Sequence, residues 1–321
     1  MKKILILVAI MIVLTLVGDR ISGALYSFES NSMAESFKLI QKNFLIIILS
    51  NLFLYLLDMA RMKLIGKIFK LDFKWSECFG GVTLNLLFGW VSPMAILGAP
   101  AMAYYLYKRG YPVVESISVS FVRSFSIIIV SALTTITIFS FNLQGEIHNP
   151  LLQEKVFQVL TGIAIYIASL VVLSYLPFKF IKNIKFFDKL TLQIRTLVSE
   201  GKFVMIPVFF LTLILNFLLV SPIMYEGSHY HVSGSSLLGQ VMLFLSYMLL
   251  MPTPGASGLA EVGAPLIFSS EIPRADIISI VSASRLSSIG FQVLIGVLFM
   301  MFVLKDSFTI DDLKRFKKTR S

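Results

Sequence analysis

The chain has 321 residues, of which 56% are hydrophobic and 14% are charged, and its mean hydropathy is +0.84. Because soluble domains carry about 25% charged residues, this composition excludes an ordinary water-soluble enzyme and predicts an α-helical integral membrane protein. The net charge of +10 does not indicate a nucleic-acid-binding protein, since 21 of the 28 Lys and Arg residues lie in five segments that one topology places in the cytoplasm. These segments are 1–3, 61–76, 108–109, 179–202 and 305–321.

The N-terminal segment is predicted to be an uncleaved membrane anchor. Two lysines precede the apolar run 4–17, as in a signal peptide, but no small-x-small cleavage site follows it. The first span therefore covers about 4–18 and leads outward into the polar segment 19–42, which has room for a short surface helix. The single cysteine, Cys78, allows no intrachain disulfide bond.

Five further apolar segments are predicted to cross the membrane. At about 1.5 Å per residue, roughly 20 helical residues cross a ~30 Å hydrocarbon core. These spans are 43–60, 113–141, 156–178, 203–225 and 277–304. Asp58, near the inner end of its span, is expected to be wetted, and a basic cytoplasmic loop is expected from Arg61 to Lys74.

Two apolar segments, 77–107 and 236–270, do not fit single spans. Each has too few residues for two full crossings and carries helix breakers in its middle. The breakers are Gly80, Gly81, Gly89, Pro93, Gly98 and Pro100 in the first segment, and Pro252, Pro254, Gly255, Gly258, Gly263 and Pro265 in the second. Both are interpreted as re-entrant hairpins, which membranes tolerate where protein or a polar cavity surrounds the broken backbone.

The two broken segments share a spacing. Each half follows the pattern proline, a second proline nineteen residues later, an acid, and then an arginine. The residues are Pro93, Pro112, Glu115 and Arg123 in the first half, and Pro254, Pro273, Asp276 and Arg285 in the second. The predicted fold is therefore one membrane domain, 1–321, with six full spans, two hairpins and an inverted repeat of about 77–141 and 236–304. Because the intervening residues are dissimilar, a chance match of the spacing stays an alternative.

The two arginines of this pattern are predicted to lie near the middle of the membrane. A helix that begins near Pro112 reaches Arg123 after roughly 16 Å, and one that begins near Pro273 reaches Arg285 after roughly 18 Å. Half of the hydrocarbon core is about 15 Å thick. Each arginine is therefore expected to face a cavity or a counter-charge.

The second broken segment carries the sharpest motif of the chain, from Pro252 to Glu261. A half-helix that begins near Ser257 inside the membrane would present free N–H groups to an anion. The candidate binding residues here are Pro252, Thr253, Pro254, Gly255, Ser257, Gly258 and Glu261. Glu261 is expected to pair with Arg123 or Arg285 or to contact a cationic headgroup; the alternative is a simple kink with a structural ion pair.

The first broken segment has no charge at its turn. Its candidate binding residues are Asn85, Pro93 and Gly98. Asn85 is interpreted either as an interhelical hydrogen-bonding residue or as a ligand-binding residue. His229 and His231, in the external loop 226–235, have no third metal ligand nearby, so neither a metal site nor a cofactor is predicted.

The motif Pro-Thr-Pro-Gly-x-x-Gly-x-x-Glu at Pro252–Glu261 resembles the signature of the lysylphosphatidylglycerol synthase transmembrane family, also called flippase-like. The resemblance covers roughly 5–305, and it includes a weaker first-half pattern that ends with an arginine like Arg123. That pattern is Asn85, Pro93, Gly98, Tyr104 and Gly110. Many members have glutamate and arginine in this region, where this chain has Ala99 and Met102. The first hairpin therefore lacks the charged residues of the family pattern.

The resemblance implies a flippase or transporter that moves a phospholipid, or a lipid-linked substrate with a charged headgroup, between leaflets. In full-length synthases a transferase domain that uses aminoacyl-tRNA follows the membrane region, and only about 17 residues follow the last predicted span here. The chain is therefore not expected to be a phosphatidylglycerol lysyltransferase on its own; that enzyme class and a membrane scaffold or regulator are the alternatives. Expected partners are the lipid substrate, anionic lipids at the cytoplasmic face and further copies of the chain, but no nucleic acid. The expected location is the plasma membrane, with both termini cytoplasmic.

Overall fold

The computed structural model of the chain describes residues 32–92, 97–142, 196–197, 199, 201–250, 259–268 and 272–303. Nine α-helices and no strand occur in these ranges. They are α1 (Ser32–Lys42), α2 (Phe44–Ile68), α3 (Trp75–Trp90), α4 (Gly98–Lys108), α5 (Val113–Asn142), α6 (Lys202–Gly227), α7 (Gly234–Leu250), α8 (Leu259–Ile267) and α9 (Arg274–Phe302).

Four helices are long and apolar enough to cross a membrane, namely α2, α5, α6 and α9. They coincide with the spans predicted at 43–60, 113–141, 203–225 and 277–304, which are confirmed as long apolar helices. Each is a run of apolar side chains that are favourable in lipid, and its backbone N–H and C=O groups form hydrogen bonds within the helix. The spans predicted at 4–18 and 156–178 lie outside the described residues.

The predicted position of the inner end of the second span, at about residue 60, is wrong. Helix α2 continues to Ile68, so Arg61 lies within the helix and is 0% exposed instead of beginning a basic loop. The loop is only Phe69–Lys74, closed by the Leu71 N–H bonded to the Gly66 carbonyl and by Lys70 at φ 57°. Asp58 is 2% exposed and not wetted, because arginine side chains have taken the place of water around its carboxylate.

Helices α3 and α4 pack against each other, and residues 91–97 lie between them in the chain. Helices α7 and α8 also contact each other, and residues 251–258 lie between them in the chain. Helices α3 and α4 have 16 and 11 residues, each fewer than the ~20 needed for a full crossing. The first predicted interruption therefore coincides with helix ends, whereas the second, 251–258, lies outside the described residues. Seven predicted site residues lie outside the described residues: Pro93, Pro252, Thr253, Pro254, Gly255, Ser257 and Gly258.

Glycines allow α3 and α4 to approach closely. A Cβ atom at Gly98 would lie 2.7 Å from the Asn85 backbone oxygen, and one at Gly80 would lie 2.3 Å from the Tyr105 hydroxyl. A separation below 3.0 Å forces neighbouring atoms to move. The absence of a side chain at Gly98 thus fixes how near the start of α4 comes to Asn85.

We expect Gly98→Ala to lower the stability of the protein by about 1–3 kcal/mol, the usual magnitude for an overpacked methyl group. The matched control is Gly290→Ala in α9, because a Cβ atom at Gly290 meets no described atom within 4 Å. Alanine there should be neutral or stabilising by up to about 1 kcal/mol. Thermal unfolding in detergent measures both, and equal melting temperatures for the two variants would contradict the close approach.

The two broken segments pack reciprocally against the long helices. Helix α3 contacts α9, and α7 contacts α5, so each incoming helix lies against the long helix that follows the other broken segment. One core cluster joins α2, α3 and α4, and a second joins α7, α8 and the start of α9. A small apolar contact between α3 and α9 connects these regions; its residues are Leu87, Val91, Ile289 and Val293.

Segments predicted to be external meet at one end of the molecule. A short helix is present at Ser32–Lys42, and the buried Ser36 hydroxyl donates to the Ser279 carbonyl at 3.1 Å. The Tyr230 hydroxyl donates to Asp276 at 2.8 Å. Partial burial, followed by this hydrogen bond, raises the pKa of Tyr230, so its hydroxyl keeps its proton near neutral pH. Hydrogen bonds thus join α1 and the 226–235 loop to the start of α9.

Candidate functional site

A buried group of charged side chains lies where α2 and α5 meet. The Asp58 carboxylate accepts from both Arg61 and Arg123, and the three side chains are at most 3% exposed. Asp58 Oδ1 lies 2.6 Å from Arg61 Nη2, 3.0 Å from Arg61 Nε and 3.1 Å from Arg123 Nε. Arg123 Nη2 donates to the other carboxylate oxygen. We name Asp58, Arg61 and Arg123 the arginine-pair cluster.

Neutral side chains from two other helices complete the shell of this cluster. Asn85 of α3 accepts a hydrogen bond from Arg123 Nη1 through its amide oxygen. Thr212 of α6 accepts from Arg61 Nη1 at 3.0 Å and donates to the Val208 carbonyl at 2.6 Å. Asn85 therefore forms the predicted interhelical hydrogen bond. Four helices contribute side chains to the hydrogen-bond network around the Asp58 carboxylate.

The arginine-pair cluster carries an excess positive charge. Two guanidinium groups face one carboxylate, and no second carboxylate of the described residues forms an ion pair with either arginine. Arginine keeps its proton under all ordinary conditions in proteins. A buried net positive charge is destabilising in a low-dielectric interior, so a bound anion would stabilise this cluster.

Asn85 also supplies a donor next to the arginines. Its side-chain nitrogen is buried and has no hydrogen-bond partner within the described part of the chain, while its oxygen is held by Arg123. A buried amide N–H group without a partner is destabilising by about 1–3 kcal/mol. A ligand oxygen would satisfy this group, and a Cβ atom at Gly98 would lie only 3.3 Å from the Asn85 side-chain nitrogen.

The second buried ion pair joins α8 to α9. Arg285 Nη1 donates to Glu261 Oε1, with side-chain exposures of 4% and 0%. Glu261 lies in the first turn of α8, where the positive end of the helix dipole also favours a carboxylate. Among the alternatives that the sequence left open, Glu261 pairs with Arg285 and Arg123 pairs with Asp58. This second pair is electrically balanced.

Helix α9 also holds the first broken segment. Trp90 Nε1, at the end of α3, donates to Gln292 Oε1 at 2.5 Å. Gln292 Nε2 in turn donates to Asn51 Oδ1 of α2 at 3.1 Å. Because Gln292 lies two helical turns from Arg285, one face of α9 contacts both the second ion pair and the end of α3.

Sequence reasoning missed Arg61, Thr212, Asn51 and Gln292. Asp58 and Arg61 are three residues apart, so they share a helix face once the helix is known to continue past residue 60. The usable signal was the charge itself, since ionisable residues within apolar spans are functional candidates by default. Counting Arg61 with the basic loops concealed that signal.

The described residues bring no group of three His, Cys, Asp or Glu side chains together in a way that could hold a metal ion. His229 instead contacts Tyr225. Its Nδ1 atom lies 3.0 Å from the Tyr225 carbonyl oxygen, and the two ring centroids are 5.1 Å apart.

Apolar helices of membrane-spanning length that enclose paired charges define a multi-pass α-helical membrane protein. The chain belongs to the family described as lysylphosphatidylglycerol synthase TM region, whose model matches residues 3–296. The matched range includes both buried ion groups, and family membership implies a membrane, lipid-related function. No curated protein and no solved structure matches the chain.

Proposed function

We propose that this protein moves a phospholipid, or a lipid-linked substrate with a charged headgroup, between the leaflets of the plasma membrane. The observation that carries the proposal is the arginine-pair cluster. Among the residues that the structure describes, its two buried arginines share a single carboxylate, so one positive charge is left to attract an anion. Guanidinium groups bind phosphate oxygens through paired, charge-assisted hydrogen bonds, and every phospholipid carries a phosphate.

The proposed topology places both broken segments as re-entrant hairpins that enter from opposite sides. The reciprocal packing of α3 on α9 and α7 on α5 supports an inverted repeat of about 77–141 and 236–304. Arg123 is the eleventh residue of α5 and Arg285 the twelfth of α9, so both lie at matching depths. In this topology the basic segments and both termini face the cytoplasm, where anionic lipid headgroups attract them.

The proposed mechanism divides the headgroup between the two buried ion groups. The arginine-pair cluster and Asn85 hold the phosphate, replacing its water while the acyl chains stay in the bilayer. The Glu261–Arg285 pair is balanced, so it can exchange partners with a headgroup that carries its own charges. The N–H groups at the proposed intramembrane helix start, Pro252–Gly258, would contribute further donors to the headgroup.

The sharpest test changes the charge of the cluster without changing its shape. We expect Asn85→Asp to supply the missing negative charge beside Arg123, which removes the demand for a lipid phosphate. Leaflet exchange of a fluorescent anionic phospholipid in proteoliposomes should slow by at least about tenfold, the effect of about 1.4 kcal/mol. The melting temperature in detergent should stay at or above that of the parent protein.

Asn85→Ala is the matched control, since it keeps the positive charge and removes only a neutral side chain, which accepts from Arg123 and offers one donor to the phosphate. It should lower the melting temperature more than Asn85→Asp does and slow leaflet exchange less. Opposite orders for stability and exchange distinguish substrate binding from general structural damage. Parent-like exchange in Asn85→Asp would contradict the proposal.

A second candidate is a lipid-modifying transferase, because the description of the family names lysylphosphatidylglycerol synthase. The described residues form a membrane-embedded helix bundle, so such an activity would require chemistry within the bilayer or a further domain or partner. The purified chain, incubated with lysyl-tRNA and phosphatidylglycerol, should then produce lysylphosphatidylglycerol. No product in that assay, together with leaflet exchange in proteoliposomes, would favour transport.

A further inference from the structure

A groove on the outside of the helix bundle is lined by none of the charged residues of the two buried ion groups. It encloses about 400 Å³ between α2, α3, α4 and the end of α9, within the range of about 300–1,000 Å³ that is typical of small-molecule sites. Its walls are apolar side chains, namely Met59, Phe79, Tyr105 and Phe299. Trp75 and Arg109 lie at its rim.

The walls of this groove are already packed in place. The Phe299 ring contacts Phe79 and Tyr105, with centroid distances of 5.8 and 6.1 Å and steep angles between the ring planes. Tyr105 and Phe299 are only 2% and 7% exposed, so neighbouring side chains hold them. A preformed apolar groove of this kind accepts a hydrocarbon chain without ordering its own side chains.

The rim of the groove is positively charged. The Arg109 guanidinium lies 5.2 Å from the centre of the Tyr105 ring, and Lys63 Nζ lies 5.1 Å from the centre of the Trp75 ring. These cation–π contacts hold both cations beside the groove. Arg109 forms no ion pair with a carboxylate of the described residues. The nearby Glu77 carboxylate accepts from the Tyr111 hydroxyl at 2.6 Å and from the Lys74 N–H at 2.8 Å.

We infer that this groove binds one anionic phospholipid as a resident lipid, separate from any lipid that the protein transports. One acyl chain fills the apolar walls, and Arg109 binds the phosphate. Trp75 is 55% exposed at the rim, as expected for an aromatic side chain at the level of the headgroups. The basic tail 305–321 has the wrong charge to occupy this rim.

Tryptophan fluorescence tests the inference directly. The chain has only two tryptophans, so Trp90→Phe leaves Trp75 as the single reporter at the rim. In this background, phosphatidylglycerol with brominated acyl chains should quench Trp75 with at least about tenfold higher relative affinity than brominated phosphatidylcholine. Arg109→Gln should reduce this preference to near one.

Two further variants separate the groove from its surroundings. Lys67→Gln is the matched control, because Lys67 is an exposed cation at the same end of the molecule and does not line the groove. It should keep the headgroup preference. Ser76→Phe adds a ring to an exposed lining position and should weaken quenching by both brominated lipids.

Parent protein without headgroup preference, or Arg109→Gln with its preference intact, would overturn the inference. Equal losses in Arg109→Gln and Lys67→Gln would also overturn it, since they would indicate a diffuse basic surface. Quenching that is unchanged in Ser76→Phe would show that no acyl chain occupies the groove. None of these readouts depends on leaflet exchange, so the inference and the proposed transport function stand or fall separately.

Discussion

Replacing Asp58 with asparagine is expected to destabilise the protein more than any other single change at the buried polar residues. The substitution leaves Arg61 and Arg123 buried without a counter-charge. Breaking a buried ion pair by removing one partner typically costs about 3–5 kcal/mol, and here one carboxylate serves two arginines. The yield of monodisperse protein in detergent and its melting temperature should both fall sharply.

Asp72→Asn is the control for the Asp58 substitution. Asp72 is exposed in the loop after α2, so the same chemical change there should stay within about 0.5 kcal/mol of the parent protein. A second-site variant sharpens the test. Asn85→Asp in the Asp58→Asn background returns a carboxylate to Arg123 from the opposite helix and should recover part of the lost melting temperature. An Asp58→Asn protein as stable as the parent would show that the arginines do not depend on this carboxylate.

The second large effect is expected at Glu261 and Arg285. Glu261→Gln removes the buried carboxylate that accepts from Arg285, and Arg285→Met removes the buried guanidinium that donates to Glu261. Each should lower stability by about 3–5 kcal/mol and abolish leaflet exchange. The double variant removes both charges together, so its stability should return close to that of the parent.

Leaflet exchange distinguishes a structural pair from a binding pair in these variants. If the pair only holds α8 against α9, the double variant should regain exchange together with stability. If the pair exchanges partners with the lipid headgroup, the double variant should be folded and inactive. We expect the second outcome, and proteoliposome exchange measured beside thermal unfolding decides between the two.

Much of the architecture was predictable because the membrane imposes simple rules on sequence. A helix in lipid satisfies its own backbone, so a long apolar run specifies both its structure and its length. The spans at 113–141 and 203–225 agree with α5 and α6 to within two residues at each end. The helix ends around the first interruption were only partly predictable, since Gly80, Gly81 and Gly89 lie within α3 although glycine is a poor residue for a helix interior.

The charged residues near the ends of spans were harder to interpret. A basic residue after an apolar run fits a cytoplasmic loop as well as it fits a further helical turn. Arg61 was assigned to the loop for that reason, yet it lies within α2 and is fully buried. Arg61 is held by Asp58, three residues earlier on the same helix face, and by Thr212 from a distant helix, and only the contact with Thr212 has no local signature.

By itself, the sequence determined that this is an α-helical membrane protein and which of the described segments form long apolar helices. Those properties follow from composition and from the fixed rise of a helix. Only the tertiary structure decided which charges meet. Arg123 contacts a carboxylate 65 residues earlier in the chain, whereas Arg285 contacts one 24 residues earlier. Because electrostatic pairing depends on distances between helices, only the packing of the described helices decided that Arg123 shares Asp58 with Arg61 and that Arg285 pairs with Glu261.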